Sequence, residues 1–259
     1  MNAAFSRRAA AVLTPVLFGA AFLLLWQWFV VARHIKPILL PKPSGIWHEL
    51  VANRAQEVKV SRVTGLNALV GLVGGTAAGV VVAFVASRFK VVRELLTPLA
   101  IAASTIPIVV LVSVFNNIFA ITSEVPRRLM VTVVVFFIVF VNVARGLTQT
   151  SHTQVELMRS YAASDWDVLR KVRTPNALPF FFTALKVAAP LAVVTAFVSE
   201  YFGGLQNGLG NRITSSIAAS RDTAGWAYVA CACALGLVFY IASLVLERIA
   251  MPWQRQGGV

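Results

Sequence analysis

The hydrophobic residues of this chain are grouped into long stretches without charged side chains. Residues 9–32, 63–87, 95–123 and 223–246 contain no Asp, Glu, Lys or Arg. Each is long enough to span a membrane, because about 20 apolar residues of helix cross the hydrocarbon core of a bilayer. Two further stretches reach that length if charged residues near their ends extend toward the membrane surface. They are residues 129–148, flanked by Arg128, and Phe180–Phe202, which contains Lys186 and Glu200.

The pattern predicts an all-α polytopic membrane protein with about six transmembrane helices. The predicted spans are residues 11–32, 64–87, 96–119, 129–148, 180–202 and 225–247. We expect the first span to be retained rather than cleaved, because a signal peptide has a shorter apolar region of about 7–15 residues. An even number of spans places both termini on one side. A small majority of the 23 Lys and Arg residues then favours a cytoplasmic location for the termini.

A polar segment, RSYAASDWDVLRKVRTPNALP (residues 159–179), separates the fourth and fifth predicted spans. Ser164 and Asp167 have the spacing of a capping box, which predicts a helix over residues 165–172 that Pro175 ends. Arg170 and Lys171 fall in its last turn, where cations are favourable. Trp166, Leu169 and Val172 would share one side of this helix, and a second short helix would precede it. Such short helices need a packing surface, either the membrane or a groove on a partner protein.

Two spans carry residues that interrupt an ordinary apolar helix. Gly71, Gly75 and Gly79 form one small-residue face in the second span, which is typical of close helix packing in membranes. Pro107 removes one helical hydrogen bond from the third span, and Asn116 and Asn117 follow near its far end. A polar stretch of this kind is compatible with a packing kink or with the lining of a water-filled path, and both remain open.

The composition agrees with a membrane protein, since 58% of the residues are hydrophobic and only 13% are charged. The net charge of +13 does not indicate nucleic acid, because Lys and Arg also accumulate at anionic lipid surfaces. No lysine is followed by Ser or Thr, so a phosphate-binding G-x-x-x-x-G-K-[ST] loop is absent. The three histidines are far apart in sequence and no metal motif occurs. We therefore expect no enzyme activity, no cofactor and no metal site on the chain itself.

Residues 156–204 resemble the cytoplasmic loop and following helix of permeases from binding-protein-dependent ABC importers. The family signature reads E-A-A, three residues, G, nine residues, I-x-L-P. It is matched here by Glu156 and Pro175, with Leu157, Met158, Ala162, Val172 and Thr174 at the other signature positions. The segments LLPKPSGIW, STIPIVVLVSVFNN and NALPFFFTALKVA resemble the nitrate/sulfonate/taurine branch of that family. The resemblance extends over about residues 36–252.

The resemblance implies a type I importer permease fold in a bacterial inner membrane. The polar segment would be a coupling helix that seats in a groove of a cytosolic ATPase dimer, which holds the ATP and Mg. Further partners would be a second permease copy or a related permease, an external solute-binding protein and the lipid bilayer. The implied divisions are an N-terminal helix (1–35), an external connector (36–60), a transport domain (61–250) and a cytoplasmic tail (251–259). Candidate coupling residues are Glu156, Met158, Tyr161, Ala162, Ser164, Asp165, Trp166, Leu169, Arg170, Lys171 and Pro175.

Polar and charged residues within the spans are candidates for the solute path or its gate. They are Ser104, Thr105, Pro107, Asn116, Asn117, Lys186, Thr195, Ser199 and Glu200. Packing is an alternative for each of them. Lys186 would extend to the surface or contact a gate, and Glu200, at an acidic position common in this branch, would shape the outer gate or bond a neighbouring helix. The residues 156–164 and 176–188 are most similar to permeases for pyrimidine and riboflavin precursors.

Two other functions remain compatible with the sequence. An ion-coupled secondary transporter would use carboxylates near the middle of the membrane, and Glu200 is the one acid expected inside a span. A membrane scaffold would need only the groove-binding polar segment.

Overall fold

The structure, a computed structural model, describes residues 2–89, 91, 94, 95, 98, 105–119, 123–203 and 205–253. These residues form helices and connecting turns, with no strand among them, which confirms the predicted all-α class. Ser104 and much of the first half of the predicted third span lie outside the described residues.

The α-helices range in length from four to 35 residues. In chain order they are α1 (Asn2–Ala32), α2 (Pro43–Ala52), α3 (Arg54–Arg88), α4 (Ile108–Ile118), α5 (Val125–Thr148), α6 (His152–Ser160), α7 (Asp165–Val168), α8 (Thr174–Tyr201), α9 (Leu209–Ala218) and α10 (Asp222–Ala250).

Within the described residues, five helical segments are long and apolar enough to cross a membrane. They are α1, α3, α5, α10 and the segment Asp165–Tyr201, which contains α8. The shorter α4 lies in the predicted third span. Two helices begin before the predicted spans: α3 begins at Arg54, ahead of the span 64–87, and α8 begins at Thr174, ahead of the span 180–202. Each extension adds polar residues to the start of the helix, including Glu57 in α3 and Asn176 in α8.

Glycines of α3 allow it to pack closely against α5. A Cβ atom built on Gly75 would lie 2.7 Å from the Cβ of Val135, and one built on Gly79 would lie 3.0 Å from the Cβ of Val139. Gly71 faces Val131 in the same way. The paired residue numbers increase together along both helices, so α3 and α5 are parallel. The chain therefore returns to the starting side of the bundle between the end of α3 and the start of α5.

Helix α8 completes the core by packing antiparallel to α5. Asn176, near the start of α8, donates hydrogen bonds to the carbonyl oxygens of Gly146 at 2.8 Å and Gln149 at 3.0 Å, at the end of α5. These bonds satisfy carbonyl groups that a helix end leaves unpaired. The residues between α3, α5 and α8 are mainly buried alanines and valines, including Val139, Ala188 and Ala192.

The remaining long helices lie at the periphery. From Leu13 onward, helix α1 exposes most of its apolar side chains, and its Trp26 makes an edge-on contact with Trp226 of α10 at a ring-centroid distance of 5.6 Å. Helix α10 is joined to α8 by an ion pair between Lys186 Nζ and Glu247 Oε1 at 2.8 Å. Exposed apolar side chains are expected on helices that contact lipid or another membrane subunit.

The sequence predicts that Pro107 interrupts a helix, but the structure places it at a helix start. It is the residue that immediately precedes α4, with extended backbone angles of φ −58° and ψ 128°. A proline is well tolerated at a helix start, because the first N–H groups have no intrahelical acceptor. The polar break in the third span therefore lies before α4 and not inside it.

Candidate functional site: a polar elbow and a buried ionic cluster

The segment between α5 and α8, residues 151–173, forms a bent structure that we name the elbow. Its first helix, α6, ends in a tight turn in which the N–H of Ala163 donates to the carbonyl of Met158 at 3.1 Å. The N–H of Ala162 donates to Arg159 at 2.9 Å. This pair of bonds is a Schellman motif, which needs a left-handed residue. Ala162 supplies it, with φ of +55°, at the position where the family signature has glycine.

The second helix of the elbow, α7, begins with the predicted capping box. Ser164 Oγ accepts from the N–H of Asp167 at 3.2 Å, and the Ser164 N–H donates to Asp167 Oδ2 at 3.3 Å. Asp167 Oδ1 also lies 3.2 Å from Lys171 Nζ. These contacts fix the direction in which the chain leaves the turn at Ala162.

The elbow continues into α8 without a break, so the prediction that Pro175 ends the helix is wrong. Residues Leu169–Arg173 form one π-helical turn, closed by the Thr174 N–H on the Leu169 carbonyl. Thr174 Oγ1 donates to the same carbonyl at 2.9 Å. The wider turn accommodates Pro175, which has no N–H, in the first turn of α8. Arg170 and Lys171 therefore lie in the middle of a continuous helical segment rather than in a last turn.

The buried side of the elbow differs from the predicted one. Val168 is buried and Leu169 is half-buried against the bundle, whereas Trp166 is 68% exposed. Tyr161, at the bend, is 78% exposed. Within the described part of the chain, two large aromatic side chains of this polar segment are thus mostly exposed.

The other predicted coupling residues lie around these two aromatics. Asp165 forms an exposed ion pair with Arg88 at the end of α3, with 3.6 Å between Oδ2 and Nη1. Glu156 is exposed and lies 3.0 Å from His152 Nδ1. Met158 is half-buried, whereas Arg170 and Lys171 are exposed. The elbow therefore presents mixed charge and two aromatic rings on its free surface.

A second polar arrangement lies at the opposite end of the bundle, and we name it the ionic cluster. Its centre is Arg127, in the first turn of α5, which is only 1% exposed. Its guanidinium donates to Glu124 Oε2 at 2.9 Å, Asn207 Oδ1 at 2.7 Å, Asn211 Oδ1 at 3.2 Å and the carbonyl oxygen of Leu205. A buried cation with this many acceptors holds α5 to the loop before α9.

Glu200, near the end of α8, is the buried carboxylate of the ionic cluster. Its Oε2 accepts from Thr64 Oγ1 of α3 at 2.8 Å and from the Gly210 N–H at 3.2 Å. Thr64 Oγ1 in turn accepts from the Leu209 N–H at 3.0 Å. Gly208 lies directly against the carboxylate, where a side chain would collide with it. Glu200 therefore joins α3, α8 and the start of α9.

Glu124 is the second carboxylate of the ionic cluster and precedes α5. It accepts from Asn67 Nδ2 at 2.8 Å and Asn207 Nδ2 at 2.7 Å, and Asn67 Oδ1 accepts from Arg128 Nε at 3.0 Å. Burial by itself would raise the pKa of Glu124, but the hydrogen-bond donors and the neighbouring guanidinium outweigh burial and hold this pKa below its ordinary value.

Sequence reasoning identified only Glu200 in this cluster. It treated Arg128 as the end of a span and did not single out Arg127. The available signals were two adjacent arginines three residues after Glu124 and a pair of asparagines, Asn207 and Asn211, at helical spacing. The buried Glu57, near the start of α3, was not singled out either.

The other residues predicted to line the solute path fall into buried, half-buried and exposed groups. Thr195 and Ser199 are buried in the bundle, and Thr195 Oγ1 donates to its own helix at the Leu191 carbonyl. Lys186 forms an ion pair with Glu247. Asn116 is half-buried, and the exposed residues are Thr105, Pro107 and Asn117. A path between two copies would be lined by residues that are exposed in one copy.

The sequence matches a profile of the family described as "Binding-protein-dependent transport system inner membrane component", over residues 75–255. This match covers the elbow, α8 and the ionic cluster except for its α3 residues. The chain belongs to this family. It is therefore an ABC importer permease subunit and a multi-pass membrane protein, as the sequence resemblance implied.

Sequence alignments with two similar proteins cover different shares of this permease. The formylaminopyrimidine transport permease protein ThiX of Halalkalibacterium halodurans is 28% identical over 255 residues, 96% of this chain and 99% of the relative. The riboflavin transport system permease protein RibX of Chloroflexus aurantiacus is 24% identical over 170 residues, 65% of this chain and 62% of the relative.

The fold of the permease also resembles a solved structure. A chain of the MetNI methionine ABC transporter in an inward-facing conformation has a TM-score of 0.55 and 18% identity, and the match covers 78% of this chain and 95% of that chain. At this identity the likeness shows the fold. The type I importer permease fold expected from the sequence is confirmed.

Proposed function

We propose that this permease couples to a cytosolic ATPase through the elbow, within residues 156–175. The observation that carries the proposal is the exposure of Trp166 and Tyr161 on a segment whose backbone is fixed by a capping box and a Schellman turn. Rigid, exposed aromatic residues are the usual anchors of a protein interface. The elbow then lies in the cytosol, which places both termini on the cytoplasmic side of a bacterial inner membrane.

The complete importer contains more than this chain. Two permease copies, or one copy and a related permease, enclose the solute path, and two ATPase subunits bind ATP and Mg. A solute-binding protein docks on the outer face. The chain itself has no catalytic role and needs no cofactor of its own.

The continuous helix from the elbow to the ionic cluster supplies the mechanical link. Residues Asp165–Tyr201 comprise 37 residues, about 55 Å of helix, with Asp165 at the elbow and Glu200 in the ionic cluster. Movement of the ATPase subunits shifts the elbow, and α8 carries this shift across the membrane. The ionic cluster makes the outer ends of α3, α5, α8 and the start of α9 move together.

The proposed cargo is a small nitrogen heterocycle of the pyrimidine or flavin-precursor type. This proposal rests on the nearly full-length similarity to a formylaminopyrimidine permease and the partial similarity to a riboflavin permease.

Uptake into proteoliposomes tests the proposed function. Vesicles contain this chain, its ATPase and its binding protein, and the probes are labelled formylaminopyrimidine and riboflavin. We expect uptake of one probe that requires internal ATP. Uptake driven by an ion gradient in vesicles without the ATPase would contradict the proposal.

Charge reversal on the elbow tests the coupling surface. The variant Arg170→Glu/Lys171→Glu should lose ATPase co-purification or ATP-dependent uptake. The matched control is Lys36→Glu/Lys42→Glu, which makes the same change in net charge at exposed positions before α2. Equal retention of the ATPase together with equal ATP-dependent uptake in both variants would contradict a role for the elbow.

A further inference from the structure

The elbow end of the bundle contains an apolar groove between α3 and α8. The groove has a volume of about 420 Å³, and its walls include Ala77, Val80 and Phe84 of α3 and Leu178 and Phe181 of α8. Ala77 is exposed and Val80 is half-buried, so the groove is open on the side away from the core.

A polar cavity of about 340 Å³ lies between the same helices and the elbow. Its walls include Arg88 at the end of α3, Arg159 of α6, Asp165 and Trp166 of α7, and Arg173 before α8. Three arginines and one acidic residue therefore line this cavity.

The groove leads into the polar cavity along both helices. On α3 the wall residues Ala77, Val80, Phe84 and Arg88 are three or four positions apart, which places them on one helical face. On the other side Leu178 lines the groove and Arg173, about one turn earlier, lines the cavity. The two spaces therefore form an apolar slot with a basic end.

The described residues do not balance the charge of the basic end. Arg88 is paired with Asp165 at 3.6 Å. Among the described residues, no carboxylate lies within ion-pair distance of Arg159 or Arg173. Two arginines at one cavity that have no carboxylate partner in the described part of the chain favour an anion, because a guanidinium pairs with phosphate or carboxylate oxygens in a two-pronged geometry.

The position of the cavity identifies the source of the anion. Two membrane-spanning helices change to polar elbow structure here, since α3 ends at Arg88 and α8 begins at Thr174. The ends of membrane-spanning helices lie near the lipid headgroups, and basic pockets between such helices on the cytoplasmic side, where the proposed function puts the elbow, bind anionic headgroups.

We propose that the slot binds one anionic phospholipid. Arg159 and Arg173 hold the phosphate in the polar cavity, and one acyl chain lies along Ala77, Val80 and Phe84. The lipid bridges α3, α8 and the elbow, so it also fixes the elbow against the bundle. The cytoplasmic position of this site rests on the proposed function, whereas the lipid measurement below does not depend on ATPase coupling.

Native mass spectrometry of the full-length chain tests the lipid site. The protein is exchanged into mixed micelles that contain phosphatidylglycerol or phosphatidylcholine of equal chain length. We expect one phosphatidylglycerol to be retained at least about 10-fold better than phosphatidylcholine, in line with the basic lining. Arg159→Gln/Arg173→Gln should remove this preference, and Lys36→Gln/Lys42→Gln, with the same charge change, should keep it.

Two further measurements test the apolar groove and the phosphate contact separately. Ala77→Phe places a ring in the exposed groove and should lower phosphatidylglycerol retention while leaving the arginines intact. Inorganic phosphate in place of lipid should give no protection against thermal unfolding. Equal retention of both lipids, equal loss in the Lys36/Lys42 control, or protection by inorganic phosphate as large as that by phosphatidylglycerol would each overturn the proposal.

Discussion

Arg127 Nη1 lies 4.0 Å from Glu200 Oε1, and both side chains are almost completely buried. Arg127 belongs to α5 and Glu200 to α8, so the two residues are far apart in the sequence and meet only in the folded protein. Neither Arg127 Nε nor Glu200 Oε1 has a hydrogen-bond partner among the described residues. The two charges therefore interact without a hydrogen bond between them, while Arg127 is also paired with Glu124 at 2.9 Å.

Removing one charge of this pair should destabilise the permease strongly. Arg127→Met leaves a buried carboxylate without its cation, and the expected loss is about 3–5 kcal/mol of unfolding free energy. The double variant Arg127→Met/Glu200→Gln should lose less than the sum of the two single variants, because neither charge is then left alone. Thermal unfolding of the four proteins in one detergent measures this coupling. Strict additivity would contradict a direct interaction.

The stability contributed by Glu124 should depend on pH. Its pKa is lower in the folded protein than the ordinary value of 4.5, so its stabilisation is present above that pH and is lost as pH falls through the folded value. The stability difference between the natural protein and Glu124→Gln should be largest near neutral pH and should shrink below about pH 4.5. Melting temperatures across this range measure it. A difference that is constant with pH would contradict the role of the carboxylate.

Gly75 should be among the residues of the bundle that tolerate substitution least. A Cβ atom there would lie 2.5 Å from the carbonyl oxygen of Thr132, so Gly75→Ala must push α3 and α5 apart. We expect a loss of about 1–3 kcal/mol, the range for overpacked cores. The control is Gly74→Ala, whose Cβ would meet Thr132 Oγ1 at 3.4 Å. Equal melting temperatures for the two variants would contradict close packing at Gly75.

Ala162→Gly should stabilise the elbow. Ala162 has φ of +55°, a conformation that costs a residue with a Cβ atom about 1–2 kcal/mol and costs glycine little. The control is Ala163→Gly, at the next position, which has no positive φ to relieve. Slower proteolysis of the elbow in Ala162→Gly, with no such gain in Ala163→Gly, is the expected result. A similar response of both variants would argue against strain at Ala162.

The apolar stretches were sufficient to predict the helical class and most of the spans, because membrane hydrocarbon demands long uncharged helices. The glycine face of α3 could also be recognised, since Gly71, Gly75 and Gly79 are regularly spaced. The starts of α3 and α8 could not be found in this way. Their first turns are polar and are stabilised by contacts with other elements, which a pattern along the chain does not reveal.

The elbow was predictable where local chemistry decides its structure, as in the Ser164–Asp167 capping box. The effect of Pro175 was not, because a π-helical turn provides an alternative to ending the helix. The ionic cluster joins Thr64, Arg127 and Glu200 over large sequence separations, so only the fold brings them together. In the sequence, Arg127 could not be distinguished from a basic residue at a membrane surface.

Labelling of a cysteine at the tip of the elbow tests the central account most directly. The protein is Trp166→Cys in a background with Cys231→Ser and Cys233→Ser, and the reagent is a membrane-impermeant maleimide. The account predicts labelling only from the cytoplasmic side and loss of labelling when the ATPase is bound. Trp47→Cys, at a tryptophan that is also 68% exposed, should be labelled only from outside and should not respond to the ATPase. Labelling of Trp166→Cys from the exterior, or labelling that the ATPase does not change, would contradict the coupling of this permease through the elbow.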